Sequence, residues 1–477
     1  MVIKMSKVDI KFGTAGWRGI ISDDFTFANV RLVSQAIADL INSGIENPAV
    51  VIGYDTRFLS EKFAVVSAEV LAANGIKVYY SEKDVPTPVI SYYIRSNSLA
   101  GGINITASHN PPEYSGIKFS PASGGPALPE TTSIIEENCR RILSDPGMIK
   151  SIDFDDGVKE GIIEIKDLSS EYIQTITRII DVPLVEKELK FAFDAMYGTA
   201  REYIPRIFPN SDMTLINNHR DVLFGGHRPE PAMEYLGKLR DTVINKNMDI
   251  GISTDGDADR FGIMDSDGTF ITPNEVMGLA LYHLHKKGYR GVAARSVMTS
   301  SFMDAVAGML DVEVIETPVG FKYIGNVFVE KDMIVGGEES GGLTIGGHLP
   351  EKDGIVACLL MAELRASENK SLGAILEELY GKVGRFVTLR KNYTLSSAHM
   401  ETLRSSLESE LPGVIGDFKV DSINRLDGYK FIMEESNTWL GLRFSGTEPV
   451  VRIYAESSSE QNISRLIDGA EKFFKLN

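Results

Sequence analysis

A chain of 477 residues is too long for one hydrophobic core, and 43% hydrophobic with 24% charged residues is an ordinary globular composition, so three or four domains are expected. Its 49 basic and 66 acidic residues leave a net charge of −17, which argues against an electrostatic grip on nucleic acid or an anionic membrane while leaving a small anionic substrate open. Cys139 and Cys358 lie far apart without metal-ligand spacing and read as buried thiols of a reducing compartment; with no signal-peptide pattern and no apolar stretch of bilayer length, a cytoplasmic protein is expected.

Residues 12 to 19 read Phe-Gly-Thr-Ala-Gly-Trp-Arg-Gly, and Arg18 there can reach a developing negative charge, although an incidental arginine on a glycine-rich loop reads as well. The apolar run Ala49 to Tyr54 predicts a strand ending in Asp55 and Arg57. Phe63, Val66 and Val70 then recur at helical spacing within Glu61 to Asn74. A second apolar run, Leu99 to Ile105, leads into Thr-Ala-Ser-His-Asn-Pro-Pro at 106 to 112. A serine where a strand hands over to a loop points into the cleft at the carboxyl end of a sheet, and Asn110 before Pro111 is held out of helix. Ser108 is therefore the candidate nucleophile, with an ordinary surface turn as the alternative. His109 adjoins it, and Lys118 can return to the same pocket as general acid or base or remain a solvated charge.

Pro146-Gly147 and the acidic stretch Asp153 to Gly157 mark a first linker, and strand-loop units like the first recur at Lys190 to Thr199 and Gly291 to Ser300. The strand Asp249 to Ile252 precedes Asp-Gly-Asp-Ala-Asp-Arg at 255 to 260. Carboxylates at alternate positions suit Mg²⁺. A calcium loop needs Gly sixth and Glu twelfth, where Arg260 and Ser266 stand. Asp255, Asp257 and Asp259 would leave room for a phosphate oxygen, so a phosphorylated Ser108 becomes the further metal ligand, its charge offset by the cation and Arg260.

Asp265 to Gly268 marks the second boundary. Thr317 to Tyr323, with Gly320, reads as a plain turn or a specificity loop. Gly-Gly-Glu-Glu-Ser-Gly-Gly at 336 to 342 offers Glu338 and Ser340 to vicinal sugar hydroxyls, and Lys352 within His348 to Gly354 can hold phosphate or move a proton. After Leu372, strands are expected at Phe386 to Leu389, Lys430 to Glu434, Trp439 to Phe444 and Val450 to Tyr454, with a closing helix Glu460 to Phe474. Arg-Phe-Ser-Gly-Thr-Glu-Pro at 443 to 449, with Arg452, makes a phosphate cradle or, equally, a Ser-Gly turn with surface arginines. The expected fold is α/β, with three similar α/β domains of mixed sheet (1–152, 153–266 and 267–376) and a smaller C-terminal α+β domain (377–477) around a central cleft.

Taken in order, Gly13 to Gly19, Thr106 to Pro111, Asp255 to Arg260, Gly337 to Gly341 and Arg443 to Pro449 resemble the α-D-phosphohexomutases from end to end. The resemblance implies a phosphorylated Ser108, Mg²⁺ on Ser108, Asp255, Asp257 and Asp259, and a glucose 1,6-bisphosphate intermediate that also serves as activator. It implies that Arg443, Ser445, Gly446, Thr447 and Arg452 hold the distal phosphate and that Glu338 and Ser340 read the sugar. Arg18 would stabilise the transferring phosphoryl, and His109, Lys118 and Lys352 would move protons. Arg260, Arg295, Ser296, Thr317, Gly320 and His348 join the substrate-binding set. Ala294-Arg295-Ser296, the Glu338-Glu339-Ser340 triplet and His348 with Glu351 to Gly354 look like phosphoglucomutases. Phosphomannomutase/phosphoglucomutases typically carry His where Gly342 stands, and phosphoglucosamine mutases Gln where Glu339 sits. Glucose phosphate is the expected substrate, with mannose or glucosamine phosphate as alternatives and a Mg²⁺-dependent sugar phosphatase as a different reaction class. The expected enzyme is a monomer or homodimer.

Overall fold

A computed structural model describes residues 10–13, 16–444 and 450–476. Four sheets follow one another along the chain. The first has the order Trp17–Ile20, Tyr114–Pro121, Gly101–Ile105, Ala49–Tyr54, Lys77–Ser81, Ile163–Lys166. Its central strands run parallel, and Val50, Val51 and Ile52 are all buried because helices cover both faces.

The second sheet has the order Phe270–Ile271, Phe261–Asp265, Ile250–Thr254, Lys190–Asp194, Asp212–Ile216, and the third Val314–Thr317, Val292–Ser296, Met333–Glu338, Gly342–Ile345. The three sheets share one device. A strand that runs parallel to a neighbour turns back on itself and pairs antiparallel with the next. In the first sheet Ile105 faces Ile117 and Asn104 faces Lys118, in the second Thr254 faces Phe261, and in the third Glu338 faces Gly342. Each turn at the carboxyl end carries one of the chemistry-bearing motifs, which places serine, carboxylates and sugar loop at equivalent points of three related domains.

The helix Gly354–Glu368 is buried along most of its length, from Ile355 through Leu364. Its side chains join Val51 and Tyr93 of the first domain, Tyr172, Phe193 and Ile252 of the second, and Leu279 and Ala293 of the third in one continuous core. The C-terminal sheet is antiparallel, Val387–Thr394, Val450–Ser457, Trp439–Phe444, Tyr429–Met433, Phe418–Asn424, Val414–Ile415, and has a separate core. Val297, Met298, Trp439 and Tyr454 form the small apolar contact between it and the third domain.

The architecture matches the expected fold class, and the closing helix spans Glu460–Phe474 as expected. Three boundaries move. Ile163–Lys166 extends the first sheet, so the first domain passes 152, because Ile163 packs into its core. Phe270–Ile271 completes the second sheet beyond 266. Leu372–Val383 belongs with the third domain, whose core takes Ile375, Leu376 and Leu379. No described helix is long and apolar enough to cross a membrane.

Candidate active site

Ser108 sits in the turn between Gly101–Ile105 and Tyr114–Pro121 with a left-handed backbone, φ 53°. Thr106 Oγ1 accepts from the Ser108 N–H at 2.9 Å. The serine hydroxyl is buried and donates to Asp255 Oδ2 at 2.6 Å, with Asp259 Oδ1 at 3.5 Å and His109 Nδ1 at 3.3 Å. Two loops from different domains thus meet at one hydroxyl. Gly256 makes the approach possible: a Cβ there would stand 2.8 Å from the Ser108 carbonyl oxygen.

Asp255, Asp257 and Asp259 are buried and offer oxygens within 4.8 Å of one another. Asp257 Oδ2 accepts from Thr87 Oγ1 and from Lys118 Nζ, each at 2.6 Å, whereas its Oδ1 is buried without a hydrogen-bond partner among the described residues. Asp259 Oδ2 lies 2.7 Å from Lys118 Nζ and 2.9 Å from Lys352 Nζ. Burial, then Asp257 and Asp259, push the Asp255 carboxyl well up. Burial also raises Asp259, but Lys118, Lys352 and Arg260 overcome it and hold that carboxylate well below the usual range. A ring of three buried carboxylates with one unpartnered oxygen fits a hard divalent cation with room for further oxygen ligands.

Cations surround the serine. Arg18 Nη1 donates to Asn110 Oδ1 at 2.6 Å, and Arg260 approaches Asp259 at 4.0 Å. Burial first, then Arg260 and Arg18, lower His109 well below its ordinary pKa, so its imidazole is neutral. Burial lowers Lys118, but Asp257 and Asp259 outweigh it and raise its pKa, so it is charged.

In the third domain, Glu338 Oε1 accepts from the Gly320 N–H at 2.7 Å, and burial followed by Glu339 pushes its carboxyl up to about 7. Ser296 Oγ donates to Glu339 Oε2 at 3.1 Å, and Ser340 is half-buried in the adjoining turn. The Thr317 hydroxyl donates to the Pro318 carbonyl. Two expected ligands point elsewhere. Arg295 directs its guanidinium to Asp304 and Glu316, at 2.5 and 2.6 Å. His348 is buried with Nε2 2.7 Å from Asp353, whose carboxylate also takes the Tyr172 hydroxyl at 2.8 Å. Arg295 thus spends its guanidinium inside the fold, whereas the buried Nδ1 of His348 has no hydrogen-bond partner among the described residues.

Arg443 and Arg452 stand directly opposite each other on paired strands. Like charges so placed repel unless an anion lies between them. Arg443 Nε donates to Asp427 Oδ1 at 3.0 Å, and Asp427 Oδ2 accepts from the Val319 N–H at 3.0 Å, tying this strand to the third domain. Ser445, Gly446 and Thr447 lie outside the described residues.

Comparison with known proteins decides the family. Phosphoglucomutase/phosphomannomutase domains I, II and III, all alpha/beta/alpha, match residues 9–145, 170–268 and 272–383, and the C-terminal domain of the same family matches 404–472. The chain belongs to the phosphoglucomutase/phosphomannomutase family. It is 30% identical over 96% of both chains to a phosphoglucomutase/phosphomannomutase of Thermococcus kodakarensis. It is 31% identical, over 97% of both, to a Pyrococcus horikoshii protein named "Probable phosphoglucosamine mutase". The open form of Paramecium pp63/parafusin, a phosphoglucomutase, superposes with a TM-score of 0.81 at 25% identity, covering 98% of this chain and 94% of that one.

As a phosphohexomutase, the protein catalyses an isomerisation, and the geometry shows which parts can serve it. Serine, carboxylates, Arg18, His109, Lys118 and Lys352 converge at one point. Glu338 lines the third loop and the arginine pair the fourth. Three residues near these groups escaped sequence reasoning. Thr87 positions Asp257 with its hydroxyl and its N–H, Asp427 orients Arg443, and Arg57 lies beneath the serine turn. Only Arg57 left a signal, as the basic residue closing the first strand-loop unit.

Proposed function

We propose that this phosphohexomutase interconverts glucose 1-phosphate and glucose 6-phosphate through a phosphoryl group carried on Ser108. The observation that carries the reading is the Ser108 hydroxyl 2.6 Å from Asp255, inside a three-carboxylate ring whose Asp257 Oδ1 has no partner among the described residues. Asp255, Asp257 and Asp259 would hold Mg²⁺, which when bound neutralises charge on the phosphoryl oxygens. The free hydroxyl of the sugar phosphate forms the new P–O bond as the bond to Ser108 Oγ breaks, giving glucose 1,6-bisphosphate. Neutral His109 can accept the hydroxyl proton, charged Lys118 can supply one to the departing serine oxygen, and Lys352, 2.9 Å from Asp259, is a further group for moving a proton there. Arg18 and Arg260 face the charge that spreads over the transferring group. The bisphosphate then turns over, its other phosphate returns to Ser108, and glucose 6-phosphate leaves.

A sugar that reacts in two orientations needs a distal grip accepting either phosphate. Arg443 and Arg452 suit it, with Ser445, Gly446 and Thr447 on the turn between them. Glu338 and Ser340 would read the hydroxyls, while Ser296, Thr317 and Gly320 shape that loop. Glu339 and Gly342 favour glucose over glucosamine and mannose. Burial of the serine favours transfer to sugar over water, and hence a mutase over a phosphatase. The buried free thiols Cys139 and Cys358 fit a cytoplasmic enzyme, acting as monomer or homodimer.

³¹P NMR of the Mg²⁺-loaded protein with catalytic glucose 1,6-bisphosphate tests this on glucose, mannose and glucosamine 1-phosphates in turn. Glucose 6-phosphate without inorganic phosphate is expected. Preferential turnover of mannose or glucosamine phosphate replaces the substrate, and growth of inorganic phosphate alone replaces the reaction.

A further inference from the structure

Ser108 is a non-glycine residue held at φ 53°. Such a conformation is strained and persists only where surrounding structure over-determines it. The over-determining group lies directly beneath. Arg57 is fully buried, and its guanidinium donates five hydrogen bonds: Nη2 to the carbonyls of Ser108 at 2.7 Å and Asn110 at 2.6 Å, Nη1 to those of Pro111 at 2.7 Å and Tyr114 at 2.9 Å, and Nε to Asp55 Oδ2 at 3.0 Å. A guanidinium has five N–H groups, so none is left over.

The socket is itself built to hold its shape. Asp55 also accepts from the Arg57 N–H at 3.0 Å and from Ser60 Oγ at 2.8 Å. From the second domain, the Phe224 ring covers the guanidinium at 4.9 Å, and Arg220 donates to the carbonyls of Thr56 and Arg57 at 3.1 and 3.3 Å. The second domain therefore braces the first directly under the nucleophile, as well as bringing the carboxylates to it from above.

We propose that Arg57 is a positioning residue for phosphoryl transfer: by gathering four backbone carbonyls of the 108–114 turn into one planar fork, it fixes the strained Ser108 backbone so that Oγ faces Asp255. The inference rests on the phosphoserine reading and extends it to a group that touches neither sugar nor phosphate. A lysine in the same place keeps the charge opposite Asp55, but its three donors cannot serve four carbonyls and a carboxylate.

The test compares the full-length, Mg²⁺-loaded Arg57→Lys and Arg57→Gly variants with the parent. Their fold is checked by circular dichroism melts, and kcat and KM are measured for glucose 1-phosphate. A nucleophile misplaced by a fraction of an ångström to one ångström predicts kcat lower by about 100-fold with KM changed by less than about threefold. Added guanidinium should restore part of the Arg57→Gly turnover, and an equal concentration of ammonium should not. A folded Arg57→Lys with parental kcat overturns the proposal, as does rescue by ammonium and guanidinium alike. Should both variants fail to fold, Arg220→Ala decides, since it removes only the outer brace. A lower kcat at unchanged KM supports the proposal and an unchanged kcat overturns it. If the parent turns over no hexose phosphate, the functional reading fails separately. A crystal structure of Arg57→Lys then decides the socket: Ser108 leaving its left-handed conformation supports it, and Ser108 remaining there refutes it.

Discussion

Replacing Gly256 by alanine probes how closely the carboxylate loop must approach the nucleophile. The added Cβ would stand 2.8 Å from the Ser108 carbonyl oxygen and 3.1 Å from Pro229 Cγ. Ordinary contact begins near 3.4 Å, so the serine turn and the carboxylate loop must separate by about 0.6 Å. Gly256 is not among the positive-φ residues, which makes the effect steric rather than conformational. Neither neighbour yields easily, one being backbone gripped by Arg57 and the other a proline ring. Misplacement of about 1 Å costs on the order of 100-fold in rate, so kcat should fall by roughly 10- to 100-fold. Overpacking of this kind should lower stability by about 1 to 3 kcal/mol. KM for the sugar phosphate should change little, because the distal grip lies on other loops. Steady-state kinetics with a thermal melt measure both. A folded variant with kcat within about twofold of the parent would refute the claim that the two loops act at van der Waals contact.

Arg443→Ala should raise KM for glucose 1-phosphate by about 10- to 100-fold, the loss expected for a charged hydrogen bond, and leave the melting temperature close to the parent's; unchanged kinetics would remove it from the phosphate grip. Burial pushes the Asp194 carboxyl up to about 6, against Met196 and Asn217 hydrogen bonds that lower it. A folded pKa raised above the unfolded value contributes stability that is fully present below about pH 4 and is lost as pH rises through about 6. Asp194→Asn, which keeps an acceptor for Met196 N, should therefore stabilise the protein at pH 7.5, by at most about 3 kcal/mol. It should help little at pH 4, and an equal gain at both values would contradict the assignment. Chelation of divalent cations should abolish turnover and Mg²⁺ should restore it, whereas full activity in chelator would detach the carboxylate ring from the reaction.

The four-part architecture could be read from the chain because each domain announces itself locally. Largely buried strands stop at or just before Asp55, Asp194 and Ser296, and the serine, carboxylate and sugar-loop motifs fall in the turns that lead into the antiparallel returns. The convergence of Ser108 with Asp255, Asp257 and Asp259 was likewise legible, since hydroxyl and carboxylates have few other reasons to recur in such turns. Lys118 was only a candidate until pairing of Asn104 with Lys118 in the hairpin returned it to the site. What escaped depends on pairings that the order of residues does not reveal. Arg295 looked free to bind substrate because nothing nearby announces Glu316 and Asp304 as its partners. His348 is taken by Asp353 under Tyr172, which lies in another domain. The domain limits missed Ile163–Lys166 and Leu372–Val383 because a short edge strand and an amphipathic helix carry no mark of the core they join.

The central claim is that Ser108 carries the phosphoryl group, and labelling tests it most directly. The Mg²⁺-loaded protein is incubated with glucose 1,6-bisphosphate bearing ³²P, digested, and the labelled peptide sequenced, before and after a chase with unlabelled glucose 1-phosphate. The account predicts label on Ser108 that passes to sugar during the chase, and no label in Ser108→Ala. Label on another residue, or label released from Ser108 only as inorganic phosphate, would contradict it.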